Sequence, residues 1–73
     1  MEYMSQEGYD KLVAELRELE LVELPRVRDA IAEARDKGDL SENSEYDAAK
    51  EAQAHLEEKI NRIKMAISEA KII

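Results

Sequence analysis

One apolar stripe constrains this chain more than any other feature. Tyr46, Ala49, Gln53, Leu56, Ile60, Ile63, Ile67 and Ala70 recur at alternating steps of three and four, with charged residues between them. Such steps return to one side of an α-helix, so residues 46–70 read as a helix with a single narrow seam. A seam held over more than three heptads is the signature of a coiled coil. At ~1.5 Å per residue, that helix spans about 37 Å. A stripe this long needs a partner helix of similar length to cover it.

The first half of the chain supplies one. Tyr9, Leu12, Leu16 and Leu19 follow the same alternation, and the stripe resumes as Val27, Ile31 and Ala34, with Ala30 beside it. Ser5 is placed to cap this helix, and Gln6 and Glu7 give it a polar first turn. Between Leu19 and Val27 the heptad phase is lost, and Leu21, Val22, Leu24 and Pro25 fill the gap. Proline has no N–H to donate and its ring crowds the preceding turn, so a kink or break is expected near residues 21–25, with helix on both sides. Gly38 suits the position just past a helix end. Asp39, Ser41, Asn43 and Ser44 compete as caps of the second helix, and Asp39 with Glu42 has the spacing of a capping box. A short connection between two long helices makes them antiparallel neighbours. The expected fold class is all-α: a two-helix antiparallel coiled-coil hairpin with an acidic tip, its helices at roughly 5–37 and 43–71 and its tip at 38–43. The seam narrows toward that tip, where Ala30, Ala34 and Ala49 stand with Ala48 and Ala52 close by. Two readings account for this: small residues that let the helices approach, or simply strong helix formers.

Composition supports the hairpin and removes alternatives. Of 73 residues, 40% are charged and 4% aromatic, which suits a thin seam between solvated faces and not a thick core. Only two glycines and one proline are present, which argues against a turn-rich β fold. A chain of this size buries little surface, so support from a further domain, a partner or an oligomer is expected. The absence of cysteine excludes disulfides and thiolate metal sites. No apolar run approaches the ~18 residues of a membrane span, and the acidic start lacks the basic and apolar regions of a signal peptide. A cytoplasmic location is therefore expected, with no membrane partner. The net charge of −7 opposes nucleic-acid binding over the whole surface, so any such contact must be local or made inside a partner that supplies positive charge.

The chemistry-bearing stretch is the turn. From Asp36 to Asp47 there are five acids (Asp36, Asp39, Glu42, Glu45, Asp47) and one lysine. Asp39 and Glu42 flank the turn. Carboxylate oxygens are the hard ligands Mg²⁺ takes, and Mg²⁺ usually keeps several waters beside one or two carboxylates. This tip can complete a magnesium site but not build one. The same acids also serve as caps and as partners of a helix N-terminus. His55 lies between seam positions Gln53 and Leu56 with no metal-ligand spacing around it.

The run from Ile31 to Lys50 resembles the tip signature of bacterial GreA-type transcript-cleavage factors, of the form I-A-E-A-R-x-x-G-D-L-x-E-N-x-E-Y-x-A-A. The start, Met4-Ser5-x-x-Gly8-x-x-Lys11-Leu12-x-x-Glu15-Leu16, is similar to that family's opening. The resemblance covers essentially the whole chain and identifies it with the family's amino-terminal coiled coil. It implies a rod that enters the secondary channel of bacterial RNA polymerase and stimulates Mg²⁺-dependent cleavage of backtracked nascent RNA. Asp39 and Glu42 match the tip acids that help hold the second Mg²⁺, an ion shared with the polymerase and not bound tightly by the free chain. Arg35 and Lys50 match a basic patch that touches the RNA 3′ segment, and Arg28 stands one heptad from Arg35; such side chains suit phosphates, and the alternative for all three is a solvated charged face with local ion pairs. The resemblance further implies a protein that is no enzyme by itself and has no small-molecule substrate. The family's carboxy-terminal polymerase-docking domain is expected to lie outside these residues. Two rivals remain: a channel-binding inhibitor without cleavage activity, and a structural coiled coil that dimerises.

Overall fold

The structure is a computed structural model that describes residues 2–38 and 44–73. In it the chain folds into a rod of 53 × 19 × 12 Å, two helix widths by one. The elements run β1 (Glu2–Met4), α1 (Gln6–Glu18), a π-helical segment (Leu19–Glu23), α2 (Leu24–Asp36), α3 (Ser44–Glu69) and β2 (Ala70–Ile72). Helices α1 and α2 together form one side of the rod and α3 the other.

Helix α1 starts where the sequence places its cap. Ser5 has extended backbone angles (φ −75°, ψ 160°), and its side-chain oxygen accepts the Gly8 N–H at 3.0 Å. That bond satisfies one of the N–H groups a helix start leaves without an intrahelical partner.

The seam packs as its spacing requires. Leu19, Ile60 and Ile63 are buried, at 7%, 5% and 8% exposure, and Leu12, Leu16, Leu24, Leu56 and Ile67 pack against them. Tyr9, Val27, Ile31, Tyr46, Ala49 and Gln53 are half-buried along the same line. Ala34 closes the seam near the tip at 3% exposure. Ala30, Ala48 and Ala52 are exposed, while Ala34 is buried and Ala49 half-buried on the seam.

The expected break at 21–25 does not occur: the helix runs on there through one wider turn. The Leu24 N–H donates to the Leu19 carbonyl, five residues back, where an α-helix would use four. Such a turn absorbs one extra residue. The stripe then runs Leu19, Leu24, Val27, Ile31, Ala34, a step of five followed by steps of three, four and three. The lost phase is repaired, and Leu24 joins the core in place of Leu21, which is 73% exposed. Pro25 falls in the first turn of α2, where its missing N–H is tolerated.

The terminal strands add what the sequence did not signal. β1 and β2 pair in parallel, with Glu2 opposite Ala70, Tyr3 opposite Lys71 and Met4 opposite Ile72, and the Ile73 N–H donates to the Met4 carbonyl at 3.1 Å. Ala70, assigned by spacing to the helical seam, opens β2, because α3 ends at Glu69. The rod itself is the all-α hairpin the seams require. The strand pair ties its base.

Candidate functional site at the tip of the rod

The tip begins where α2 ends. The Lys37 N–H donates to the Ala34 carbonyl at 3.2 Å, and the Gly38 N–H to the Arg35 carbonyl at 3.3 Å. Gly38 has φ +106°, which residues with a Cβ rarely adopt, so the glycine releases the chain from helical geometry here. Helix α3 starts at Ser44, which is therefore its first residue and not its cap, and carries Glu45 and Asp47 in its first turn. Both acids complement the partial positive charge of that helix end. Asp39 and Glu42, the candidate catalytic and metal-binding acids, lie outside the described residues, as does the capping box they were expected to form.

Across the turn, Lys37 Nζ donates to Glu45 Oε2 at 2.5 Å. This bond joins the last residue of the α2 side to the first turn of α3. The hydrogen bond, and then the attraction between the two charges, raises the Lys37 pKa above its ordinary 10.5. The pair is exposed on both sides.

Arg28, Arg35 and Lys50 are exposed, and no ion pair among the described residues involves them. Each directly follows a seam residue: Val27, Ala34 and Ala49. In an antiparallel pair of right-handed helices, residues that follow seam positions on the two helices project to the same side of the rod. The bridges along the rod obey this rule. Glu20 and Lys64 each follow a seam residue and meet at 3.1 Å, while Glu15 and Lys59 each precede one and meet at 3.5 Å. The three cations thus share one face. Lys37 and Glu45 do not belong to it, since Glu45 precedes the seam residue Tyr46. His55 is exposed beside Glu51, at 3.6 Å, and belongs to no cluster of metal ligands among the described residues.

A bare acidic turn on a two-helix rod does not identify a family. The long irregular signature around it does, and it can be compared with known proteins. The family model described as "Transcription elongation factor, N-terminal" matches residues 2–72. The chain belongs to the GreA/GreB amino-terminal family. Among GreA/GreB relatives, the transcription elongation factor GreA of Christiangramia forsetii is 55% identical over 71 residues, covering 97% of this chain and 45% of that protein. GreA of Staphylococcus epidermidis is 56% identical over 70 residues, 96% of this chain and 44% of that protein. GreA of Paracoccus denitrificans is 53% identical over 70 residues, 96% of this chain and 45% of that protein. The chain thus spans about half the length of the curated relatives it matches. No helix among the described residues is long and apolar enough to cross a membrane.

Sequence reasoning passed over the Lys37–Glu45 bond. Its only signal was that Lys37 is the single lysine among the tip acids, and nothing in the heptad pattern places two residues eight apart across a turn.

Proposed function

We propose that this chain is the channel-entering domain of a transcription elongation factor, and that it stimulates cleavage of backtracked nascent RNA by bacterial RNA polymerase. The observation that carries the reading is family membership over residues 2–72, with Asp39 and Glu42 in the segment that joins α2 to α3 at the free end of a 53 Å rod. A rod 19 × 12 Å in section can enter a pore and carry side chains tens of ångströms from its base.

Asp39 and Glu42 would hold Mg²⁺ at the tip. Two carboxylates offer hard oxygens but leave most of an octahedral shell unfilled, and the described residues add no group of three or more ligands. The donor set therefore fits an ion whose other ligands belong to the polymerase. When bound, Mg²⁺ supplies Lewis acidity for attack on the phosphodiester and for departure of the leaving oxygen. The chain brings negative charge and oxygen ligands to that centre and has no activity alone. Arg28, Arg35 and Lys50, on one face and uncommitted to acids among the described residues, suit the phosphates of the extruded RNA 3′ segment.

The test is direct. Stalled elongation complexes carrying end-labelled RNA are incubated with Mg²⁺, with and without the chain, up to saturation. Accelerated release of a 3′ fragment supports the reading. Binding without acceleration makes the chain a channel-blocking module instead.

A further inference from the structure

We infer that the outward face of the wide turn, formed by Leu21, Val22 and Pro25, is a docking site for an apolar pocket in a positively charged protein surface, the wall of the polymerase channel. The choice of polymerase as partner rests on the functional reading above. Leu21 is 73% exposed, more than any other large apolar residue in the described helices, and Val22 is 39% exposed. Pro25 is exposed too, four residues after Leu21 and so on the same side of the helix. Leu19 and Leu24, from the same stretch, lie in the seam with Ile60 and Ile63.

Packing between the helices does not ask for this arrangement. Without position 21 the seam would step four, three, four and three from Leu19 through Leu24, Val27 and Ile31 to Ala34, an unbroken heptad pattern. The wide turn adds no member to the seam. What it adds is one residue on the outside of the rod. It also forgoes helical bonding: the Leu24 N–H goes to Leu19 and Pro25 has no N–H, so neither the residue four ahead nor the one five ahead bonds the Glu20 carbonyl. Turns of this kind recur at functional sites.

Size, charge and position together define the occupant. Three apolar side chains fall well short of the ~800 Å² per partner of a stable interface, so this face alone does not hold a second copy of the chain. It fits instead as one contact within a larger interface. Glu18, one turn before Val22, and Asp29, one turn after Pro25, are exposed and join no ion pair among the described residues, so a phosphate backbone is repelled here. Arg17, four residues before Leu21, is also uncommitted among the described residues, but the chain as a whole carries −7, which draws the rod to a surface of opposite sign. The patch stands roughly 22 Å before the end of α2, at ~1.5 Å per residue from Leu21 to Asp36. A rod inserted tip first beyond that depth brings the patch against the wall of the pore.

The test measures displacement of a fluorescently labelled wild-type chain from stalled complexes by unlabelled wild type, Leu21→Gln, Leu21→Met and Met65→Gln, beside cleavage titrations and urea melts of each. Leu21→Gln is expected to bind roughly five- to tenfold more weakly, as for a leucine seated in an interface pocket. Its melting curve and its cleavage rate at saturation should stay at wild type, because the patch is engaged equally before and during the chemistry. Leu21→Met keeps an apolar side chain of similar size and should bind within about twofold of wild type. Met65→Gln, an equal loss of exposed apolar surface on α3, should bind as wild type does. Wild-type affinity for Leu21→Gln overturns the docking site and leaves the cleavage reading standing. An equal loss in Met65→Gln also overturns it, since the effect is then not local. A wild-type chain that sediments as a dimer, with Leu21→Gln a monomer, makes a second copy the occupant and overturns it as well. Weaker binding of Leu21→Gln beside a wild-type chain that binds without cleaving supports the docking site while the cleavage reading falls. A wild-type chain that does not bind overturns both.

Discussion

Replacing Ile60 by alanine removes three carbons from the most deeply buried large side chain of the seam, at 5% exposure. At ~0.8 kcal/mol per buried carbon, lost transfer alone costs about 2.4 kcal/mol. The cavity left among Leu19, Ile63 and the flanking leucines adds to this wherever the helices fail to close over it. The seam is a single layer in a rod 12 Å thick, so water or a small helix shift can relieve part of the strain. The expected loss is therefore ~2–4 kcal/mol, within the range seen for buried aliphatic-to-alanine changes. Total stability for a chain of this size is on the order of 4–11 kcal/mol, so the effect is large. Urea unfolding followed by helical circular dichroism, analysed at constant slope, measures it. Met65→Ala, on the same helix but 60% exposed, serves as the comparison and is expected to change stability by less than about 0.5 kcal/mol. A loss below about 0.5 kcal/mol for Ile60→Ala would show that the register of the two helices is wrong.

Other changes test separate parts of the structure. Ser5→Ala removes the acceptor of the Gly8 N–H and should cost about 1 kcal/mol in the same urea assay. Gly38→Ala meets no side chain among the described residues, so its cost, also about 1 kcal/mol, should come chiefly from the left-handed backbone at φ +106°. The folded-state pKa of Lys37 is raised above 10.5, so the contribution of its bond to Glu45 is fully present below that pH and lost as pH rises through the raised value. Melting curves of wild type and Lys37→Met should accordingly converge at high pH. Lys50→Glu should weaken crosslinking of the rod to backtracked RNA while leaving the melting curve in place, and an unchanged yield would return Arg28, Arg35 and Lys50 to the role of a solvated face.

The rod was legible because its two stripes are long and regular. Burial of Leu19, Ile60 and Ile63 follows from spacing alone, and so do the Ser5 cap and the Gly38 stop. A break near Pro25 was one of the two expected outcomes, and it is absent for a physical reason. A proline in a helical run normally marks a break, but the step of eight from Leu19 to Val27 is one more than a heptad, and a single wide turn accommodates both facts. The strand pair was invisible because three residues are too few to show alternation and the partners lie at opposite ends of the sequence. At the tip, the signature named Asp39 and Glu42, yet composition could not separate ligands from caps. The bond between Lys37 and Glu45 was hidden because a contact across a turn depends on three-dimensional placement, not on period.

The central claim is that Asp39 and Glu42 act as ligands at a reacting centre and not merely as caps. Asp39→Asn separates the two roles, because asparagine caps a helix nearly as well as aspartate but carries no charge. The decisive measurement is the cleavage rate of stalled-complex RNA at saturating wild type, Asp39→Asn and Glu42→Gln, beside melting curves of the free chains. The account predicts unchanged melting and a cleavage rate lower by orders of magnitude in both variants. Wild-type rates at saturation would contradict it, leaving the tip acids as caps and the rod as a module that only binds.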